Sequence, residues 1–343
     1  MSNLNHTTMI HVSLLLPKGD TSISNLEATY KMFMMANSFL VEQGGEAKFK
    51  VELVAASNEE RTSNGIFTVS PDKMISAITH TDLIIIPAIH GDYQQVVKEN
   101  AAFVPWLKAQ YEKGAEIASL CIGAFLLAST GLLNGKRCTT HWMASDEFKE
   151  MFPDVELVNE KIITDENGIY TSGGAYSSLN LNLYLIEKLA GRKTAILQSK
   201  VFEIDIDRNS QSPFIIFSGQ KSHNDERILK AQEYIEGNYQ DKITIEMLCN
   251  RLAIGRRTFE RRFKKATGNT VVEYAQRVKM EVAKKQFEAG MPNVNEVMFQ
   301  VGYSDSKAFR EVFKKFAGMS PVDYRNKYRE LKWISPSRHT TLQ

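Results

Sequence analysis

Cys121 stands where a reactive nucleophile would stand. It directly follows the predicted strand 116–120 and directly precedes Ile122, Gly123 and a helical stretch. A strand, a sharp turn and a helix form a nucleophile elbow, which presents one side chain at the top of a sheet. A thiol at a helix N-terminus also has its pKa lowered by the helix dipole. The pattern predicts a cleft at Cys121 that supports thiolate chemistry or binds a small molecule.

Two histidines and several glycines are candidates for the same cleft. His90 follows the predicted strand 82–87 and is expected near the mouth of the sheet; the alternative is an ordinary surface histidine. His141 is the other candidate base. Glycines let the backbone approach a ligand closely, and ligands of open α/β sheets gather at the carboxyl ends of strands. The candidate ligand-binding residues are Cys121, Ile122, His90, Gly91, His141, Gly173 and Gly174. The alternative is that they only satisfy a strained turn.

The second group of candidates is basic and lies near the C-terminus. Arg257 and Arg261 are four residues apart on one predicted helix, and Lys307 and Arg310 lie beside Ser306 on another. Arginine and lysine can contact guanine edges and phosphates when a helix enters the major groove of DNA. The alternative is a solvated charged face on a helical bundle.

The first two hundred residues alternate short β-rich runs with helical stretches. Several of the runs are almost wholly apolar, as strands covered on both faces are. The pattern predicts a doubly wound, mostly parallel, flavodoxin-like α/β domain. The predicted strands are 10–16, 50–55, 82–87 and 116–120, and the predicted helices are 26–43, 94–113 and 124–129, followed by an apolar helix over 179–191.

From Asp225 onward the sequence predicts helices alone. Two stretches share one pattern, a short helix, a glycine turn at Gly255 or Gly302, and a basic helix, which is typical of helix-turn-helix units. A long helix between them could act as a rigid spacer. The predicted helices are 226–238, one capped by Thr244, 256–266, 271–289, 294–301 capped by Asn293 with Glu296, 306–317 capped by Ser304 or Asp305, and 321–332 capped by Ser320.

Charge separates the two parts of the chain. Residues 1–220 hold 18 Lys/Arg and 25 Asp/Glu, a net charge of −7, whereas residues 221–343 hold 24 and 15, a net charge of +9. A basic segment of this size can neutralise phosphates, and an acidic one is repelled by the same duplex. The predicted domains are 1–205, a polar linker 206–224, an all-α unit 225–332 and a flexible tail 333–343.

Composition restricts the remaining functional classes. The three cysteines have neither disulfide nor zinc spacing, and there is no Walker loop or dinucleotide motif, so no metal or cofactor is expected. No signal or membrane segment is evident, which predicts a cytoplasmic protein without a membrane partner.

The C-terminal part resembles AraC/XylS-type regulators. The resemblance rests on VGYSDSKAFREVFKKFAGMSPVDYRNKY at 301–328 and on RRTFERRFKKATG at 256–268. It implies base-reading roles for Arg257, Glu260 and Arg261 and for Ser306, Lys307 and Arg310, and assembly as a dimer. The full candidate DNA-binding set is Arg256, Arg257, Thr258, Glu260, Arg261, Ser304, Ser306, Lys307 and Arg310.

The N-terminal part resembles the PfpI/class I glutamine amidotransferase-like domain, in particular that of the GlxA-type subgroup of AraC regulators. The resemblance rests on SLCIGAFLLASTGLLNGKRCTTHW at 119–142, TSGGAYSSLNLNLYLIEKLAG at 171–191 and RNSQSPF at 208–214. Its THW element implies a structural or pocket-lining role for His141. Protease-type relatives place a histidine directly after the nucleophile, where this chain has Ile122. Relatives with a reactive cysteine supply a glutamate where this chain has Lys31, with Glu27 one turn earlier.

These patterns together predict a transcriptional regulator that is not an enzyme, with Cys121 a vestigial nucleophile. Its expected partners are double-stranded DNA, a small-molecule effector and a second copy of the chain, with RNA polymerase a further candidate. The alternatives are a cysteine hydrolase or amidotransferase-like enzyme with an accessory DNA-binding domain, and an N-terminal domain that only dimerises.

Overall fold

The computed structural model describes residues 9–57, 61–63 and 66–329. The chain divides into two compact units, Met1–Gln211 and Ser212–Gln343. The predicted linker therefore contributes residues to both units. The predicted tail, and the end of the last predicted helix from residue 330, lie outside the described residues.

The first unit is built on a seven-stranded sheet. Its strands are β1 (Ile10–Leu15), β2 (Phe49–Ala55), β3 (Lys73–Met74), β4 (Leu83–Ile86), β5 (Glu116–Ser119), β6 (Ile163–Glu166) and β7 (Ile169–Ser172). The strand order is β6-β7-β5-β4-β1-β2-β3, and every neighbouring pair is parallel except β6 with β7. The predicted doubly wound, mostly parallel sheet is confirmed.

Helices cover both faces of this sheet. They are α1 (Ile23–Glu42), α2 (Tyr93–Glu99), α3 (Phe103–Glu112), α4 (Ala124–Ser129), α5 (Ser145–Met151), α6 (Ser177–Ala190) and α7 (Arg192–Val201). One buried cluster joins Phe33 of α1 and Leu185 of α6, and the other joins Leu107 of α3 and Phe125 of α4. The sheet lies between two apolar layers, which explains why β4 is buried along its whole length.

Within the part of the chain that the structure describes, three short strand pairs lie outside this sheet. Asp20–Thr21 pairs with Ile89–His90, Arg61–Ser63 with Phe67–Val69, and Arg137–Cys138 with Glu156–Leu157.

The helix predicted over 94–113 is wrong as a single element. The structure has α2 and α3, separated at Asn100, whose side chain is buried. Its amide oxygen accepts a hydrogen bond from Lys18 N at 2.7 Å, and its amide nitrogen donates to the carbonyls of Lys18 and Val96, both at 2.9 Å. These bonds fasten an asparagine at the break to a distant loop, which the helical periodicity of the sequence does not reveal.

The hairpin of β6 and β7 was not predicted. Its two-residue turn, Asn167 and Gly168, has φ of 56° and 77°, as a type I′ turn requires. The sequence carries this signal as an Asn-Gly pair. The strand β6 lies at the edge of the sheet and carries polar residues, so it lacks the apolar pattern by which a buried strand is predicted. Its partner β7 is buried throughout.

The second unit is helical. Its helices are α8 (Glu226–Gly237), α9 (Ile245–Leu252), α10 (Arg256–Thr267), α11 (Val271–Glu288), α12 (Val294–Gln300), α13 (Ser306–Ala317) and α14 (Pro321–Tyr328). Thr244, Asn293, Asp305 and Ser320 cap the helices that the sequence assigned to them. Gly255 lies in the turn between α9 and α10, as predicted, where it is the N-cap of α10 with φ −65°. The left-handed residue of this turn is Ala253.

Two buried clusters share the long helix α11. One joins Phe259 and Phe263 of α10 to Tyr274 at the start of α11, and the other joins Phe309 and Phe313 of α13 to later residues of α11. The spacer helix thus belongs to both helix-turn-helix cores rather than merely separating them. No helix among the described residues is long and apolar enough to cross a membrane.

Candidate functional site

Cys121 occupies a sharp turn between β5 and α4. Its φ is +55°, in the left-handed region that non-glycine residues rarely adopt. The residues that follow form a tight 3₁₀ turn, Cys121–Gly123, which brings the backbone against the end of β4. A Cβ on Gly123 would lie 2.6 Å from the carbonyl oxygen of Pro87, so only glycine fits. The geometry is that of a nucleophile elbow.

The thiol of Cys121 is nevertheless not activated. Cys121 is 5 % exposed, and this burial raises the pKa of its thiol. The backbone N–H groups of Ala175 and Ile122 lower the pKa, but by less than burial raises it. The expected lowering of this pKa by the helix dipole is therefore wrong, because desolvation of the charged thiolate outweighs it. Cys121 is held by its backbone: its N–H donates to Ser172 Oγ, and its carbonyl accepts from Thr140 Oγ1.

No base is in place beside this thiol. Among the described residues, no histidine or carboxylate forms a hydrogen bond with Cys121 or shifts its pKa. Burial, and then the charge of His90, lower the pKa of His141, so this imidazole is neutral near pH 7. Its Nδ1 accepts the backbone N–H of Met143 at 3.1 Å, which leaves the other ring nitrogen to carry the proton. His90 itself is exposed.

Glu27 does not reach the cleft. It is exposed on α1 and forms an ion pair with Lys31 at 2.5 Å, so neither residue can serve the thiol. The inward position on this helix belongs to Asn25, which is buried. Its amide donates to Ser178 Oγ and accepts from the backbone N–H of Ala88.

His141 and Gly174 form one wall of the predicted cleft at Cys121. A Cβ on Gly174 would lie 2.6 Å from His141 Cδ2, so the imidazole packs directly on the glycine backbone. Gly91 has a φ of +129° and is exposed, as is its neighbour His90. Ile122 and Gly173, two other candidate ligand contacts, are buried, and the Ile122 side chain packs into the apolar core.

Gln211 is the residue of this site that sequence reasoning missed. It is 2 % exposed and lies behind the Gly173–Gly174 backbone. Its amide nitrogen donates to the carbonyl of Thr140 at 3.0 Å and to Thr139 Oγ1 at 3.2 Å, and its amide oxygen accepts the N–H of Gly174 at 3.2 Å. The only signal in the sequence was its place in RNSQSPF, because its partners lie 37 to 72 residues away.

The basic helix α10 presents some of its candidate residues freely. Arg257, Thr258 and Arg261 are exposed, and neither arginine has a hydrogen bond or an ion pair with a described residue. Arg256 differs, because it pairs with Glu246 at 2.6 Å and with Glu260 at 3.4 Å. Arg256 and Glu260 therefore satisfy one another on the protein surface.

Helix α13 repeats this arrangement. Lys307 and Arg310 are exposed with no partner among the described residues, Ser304 is exposed and Ser306 is half-buried. Both basic helices end at a left-handed glycine of nearly identical conformation, Gly268 at φ 69° and Gly318 at φ 70°. The two helices are thus structural counterparts with cations on their outer faces.

Arg262 has a structural role, unlike its neighbour Arg261. Its guanidinium donates to both carboxylate oxygens of Asp225, at 2.8 and 2.6 Å, and Asp225 caps α8 through the N–H of Ile228. The Arg262 guanidinium holds the pKa of the Asp225 carboxyl below its usual value. The pair ties α10 to the start of α8.

Asp225→Asn is expected to lower the urea midpoint of the helical unit at pH 7, since asparagine keeps the cap and removes the charge. A carboxyl whose pKa is lowered on folding contributes stability above its unfolded pKa, about 4, and loses it as pH falls through the folded value. The difference between the two proteins should therefore vanish near pH 2. Urea titrations at both pH values measure it, and a difference that persists at pH 2 would contradict the ion-pair explanation.

Comparison with known proteins agrees with the α/β fold of the first unit and with the helix-turn-helix arrangement of the second. A helix-turn-helix domain model matches residues 248–327, and the DJ-1/PfpI family model matches residues 19–188. The transcriptional regulator GbdR of Pseudomonas aeruginosa is 23% identical over 92% of this chain and 83% of its own length. The transcriptional regulator GlxA of Rhizobium meliloti is 22% identical over 62% of this chain and 66% of its own length.

Among solved structures, a putative transcriptional regulator from Vibrio parahaemolyticus shares the α/β fold. It is 23% identical and has a TM-score of 0.52, covering 57% of this chain and 99% of that one. The chain thus joins a DJ-1/PfpI-type domain to an AraC-type helix-turn-helix domain. It is a DNA-binding transcriptional regulator, and the resemblance noted in its sequence is confirmed.

Proposed function

We propose that this regulator reads DNA with α10 and α13, placed in successive major grooves by the shared helix α11. The observation that carries the proposal is the matched exposure of Arg257 and Arg261 on one helix and of Lys307 and Arg310 on the other. Recognition helices that serve successive grooves lie about 34 Å apart along the duplex. One chain would then cover two half-sites, and a homodimer would cover four. RNA polymerase is a further proposed partner of the bound dimer.

The test begins with mapping of the sites that the full-length protein occupies in its genome. A duplex carrying a recovered site should then bind more tightly than a random duplex, and both affinities should fall as salt rises, because bound cations displace counterions. Two sequence elements about ten base pairs apart should appear in the recovered site. A single element, or affinity that does not depend on salt, would contradict the two-groove arrangement.

We further propose that the Cys121 cleft binds a small effector and performs no catalysis. A nucleophile needs a base within hydrogen-bond reach. Among the described residues, the hydroxyls of Ser172 and Thr140 bond to the backbone of Cys121 and the N–H groups of Ala175 and Ile122 act on its thiol, and none of these groups is a base. The wall of His141 and Gly174 offers a neutral imidazole donor, which suits recognition better than proton transfer. Such a regulator would work in the cytoplasm, where the DNA is.

Alkylation of Cys121 by iodoacetamide should be slow at pH 7 and should still be rising at pH 9. Burial raises the pKa of this thiol above its ordinary value, so little reactive thiolate forms at neutral pH. The measurement is peptide mass spectrometry of the labelled full-length protein over pH 6–10. Cys138, whose pKa burial raises to about 12, is an internal control that should react more slowly still. A rate that levels off below pH 7 would reveal a thiolate and revive the cysteine-hydrolase alternative.

A further inference from the structure

Gln211 cross-links the two sides of the cleft wall. One side is the turn at Thr140, whose hydroxyl donates to the Cys121 carbonyl and whose own carbonyl accepts from the Gln211 amide. The other side is Gly174, whose N–H donates to the same amide and whose backbone packs against His141. A ligand that enters between His141 and Gly174 has to move this wall, and so has to change the hydrogen bonds of Gln211.

The backbone around Gln211 is fixed to the first unit. The N–H of Gln211 donates to the carbonyl of Glu160 at 2.9 Å, and Ser210 Oγ donates to the same carbonyl at 3.0 Å. Ser210 also forms an isolated bridge with Lys161. The segment that holds this backbone is itself bonded to the cleft wall, because the carbonyl of Lys161 accepts from Thr139 Oγ1 at 2.7 Å and the carbonyl of Ile162 accepts from the N–H of Gly173 at 2.8 Å. A movement of the wall therefore reaches the end of the first unit through this segment.

The residues that come next are fixed to the second unit. Ser212 begins that unit, and a Cβ on Gly318 would lie 3.1 Å from Pro213 Cδ, so Pro213 packs on the end of α13. The N–H of Phe217 donates to Glu281 of α11 at 3.1 Å.

A buried ion pair holds the same segment. Lys284 donates to the carbonyl of Ile215 and pairs with Glu281 at 2.9 Å, and both charged side chains are at least 90% buried. Removing one partner of such a pair is costly, so the segment is held firmly on the helix shared by both DNA-contacting units.

We propose that Gln211 couples the Cys121 cleft to the DNA-contacting helices. A change in the cleft wall moves Gln211, and the covalent chain carries the displacement within a few residues to the end of α13 and to α11. The inference rests on the proposed function, because it assumes that the cleft is occupied and that the helices bind DNA. A ligand can shift DNA affinity only by as much as its affinity differs between the two arrangements.

Coupling is reciprocal, which permits a test without a known effector. If an occupant of the cleft changes the affinity for DNA, bound DNA must change the affinity of the cleft for that occupant by the same factor, so the cleft wall has to differ between the free and the DNA-bound protein. Saturating the full-length protein with a duplex that carries its mapped site should change the iodoacetamide labelling rate of Cys121 on the order of fivefold. Cys138 is fully buried and should keep its rate, which controls for general protection.

Gln211→Met should remove this change while the protein still binds the duplex, since methionine fills the space without the amide hydrogen bonds. Gln110→Met is the matched control, because Gln110 is equally buried in the same unit and donates to the carbonyl of Ile78, away from the cleft. The control should keep the response to DNA. If Gln211→Met fails to fold, Gln211→Glu serves instead, as it keeps the acceptor for Gly174 and loses the donor to Thr140.

The outcomes separate the two proposals. A wild-type protein that binds no duplex overturns the proposed function, and the coupling with it. A protein that binds its duplex with no change at Cys121, or whose Gln211 variants keep the full response, overturns the coupling alone. Loss of the response in the Gln211 variants but not in Gln110→Met supports it.

Discussion

Replacing Arg261 with alanine is expected to weaken binding to the protein's own DNA site by roughly 5- to 150-fold and to change binding to a random duplex little. Arg261 is exposed on α10 and has no partner among the described residues, so its guanidinium is available for a bidentate contact with a guanine. Such a contact is worth about 1–3 kcal/mol of discrimination between bases. Titrations of both duplexes at one salt concentration measure the effect.

Arg256→Ala is the contrasting variant on the same helix. Arg256 already pairs with Glu246 and Glu260, so a contact with DNA would require those pairs to break first. We expect a smaller loss of affinity than for Arg261→Ala. If Arg261→Ala weakens binding to the specific and the random duplex equally, Arg261 contacts phosphate rather than a base. If Arg256→Ala causes the larger loss, Arg256 rather than Arg261 is the base-contacting arginine of α10.

The helical unit could be predicted closely from sequence because its signals are local. Phe259 and Phe263 lie four residues apart on one face, and caps such as Thr244 and Ser320 precede their own helices by one residue. Each signal lies within a few residues of the structure it determines. The turn before α10 is the exception, because the sequence marks Gly255 and the left-handed conformation belongs to Ala253, two residues earlier.

The cleft could be predicted only in part, because its chemistry depends on residues distant in sequence. The succession of strand, turn and helix in the sequence predicted the elbow at Cys121. The raised pKa of the Cys121 thiol comes from burial, which depends on the folded structure. The outward position of Glu27 depends on the rotation of α1 against the sheet. Gln211 meets Thr140 across 71 residues. Sequence periodicity and motifs do not predict such contacts between residues that are distant in sequence.

Gly302 lies in the turn of the second helix-turn-helix unit, at the point where this turn contacts the first helix-turn-helix unit. Its φ is +77°, and a Cβ there would lie 2.1 Å from the carbonyl oxygen of Gln240, in the connection between α8 and α9. The left-handed backbone alone costs an alanine only about 1–2 kcal/mol. Ala253 shows that this unit accepts that conformation. The approach to Gln240 is far shorter than any real contact, and a backbone carbonyl cannot turn aside as a flexible side chain can.

Gly302→Ala is therefore expected to destabilise the helical unit by about 3 kcal/mol or more, and to weaken binding to the specific duplex by more than the folded fraction explains. The excess loss follows because relief of the clash separates the two helix-turn-helix units and changes the spacing of α10 and α13. Urea unfolding and duplex titration of the same preparation distinguish the two effects. Gly255→Ala is the matched control, since φ there is −65° and nothing lies within 4 Å of its Cβ. Similar effects of the two substitutions would mean that the contact between Gly302 and Gln240 does not set the spacing of the DNA-contacting helices.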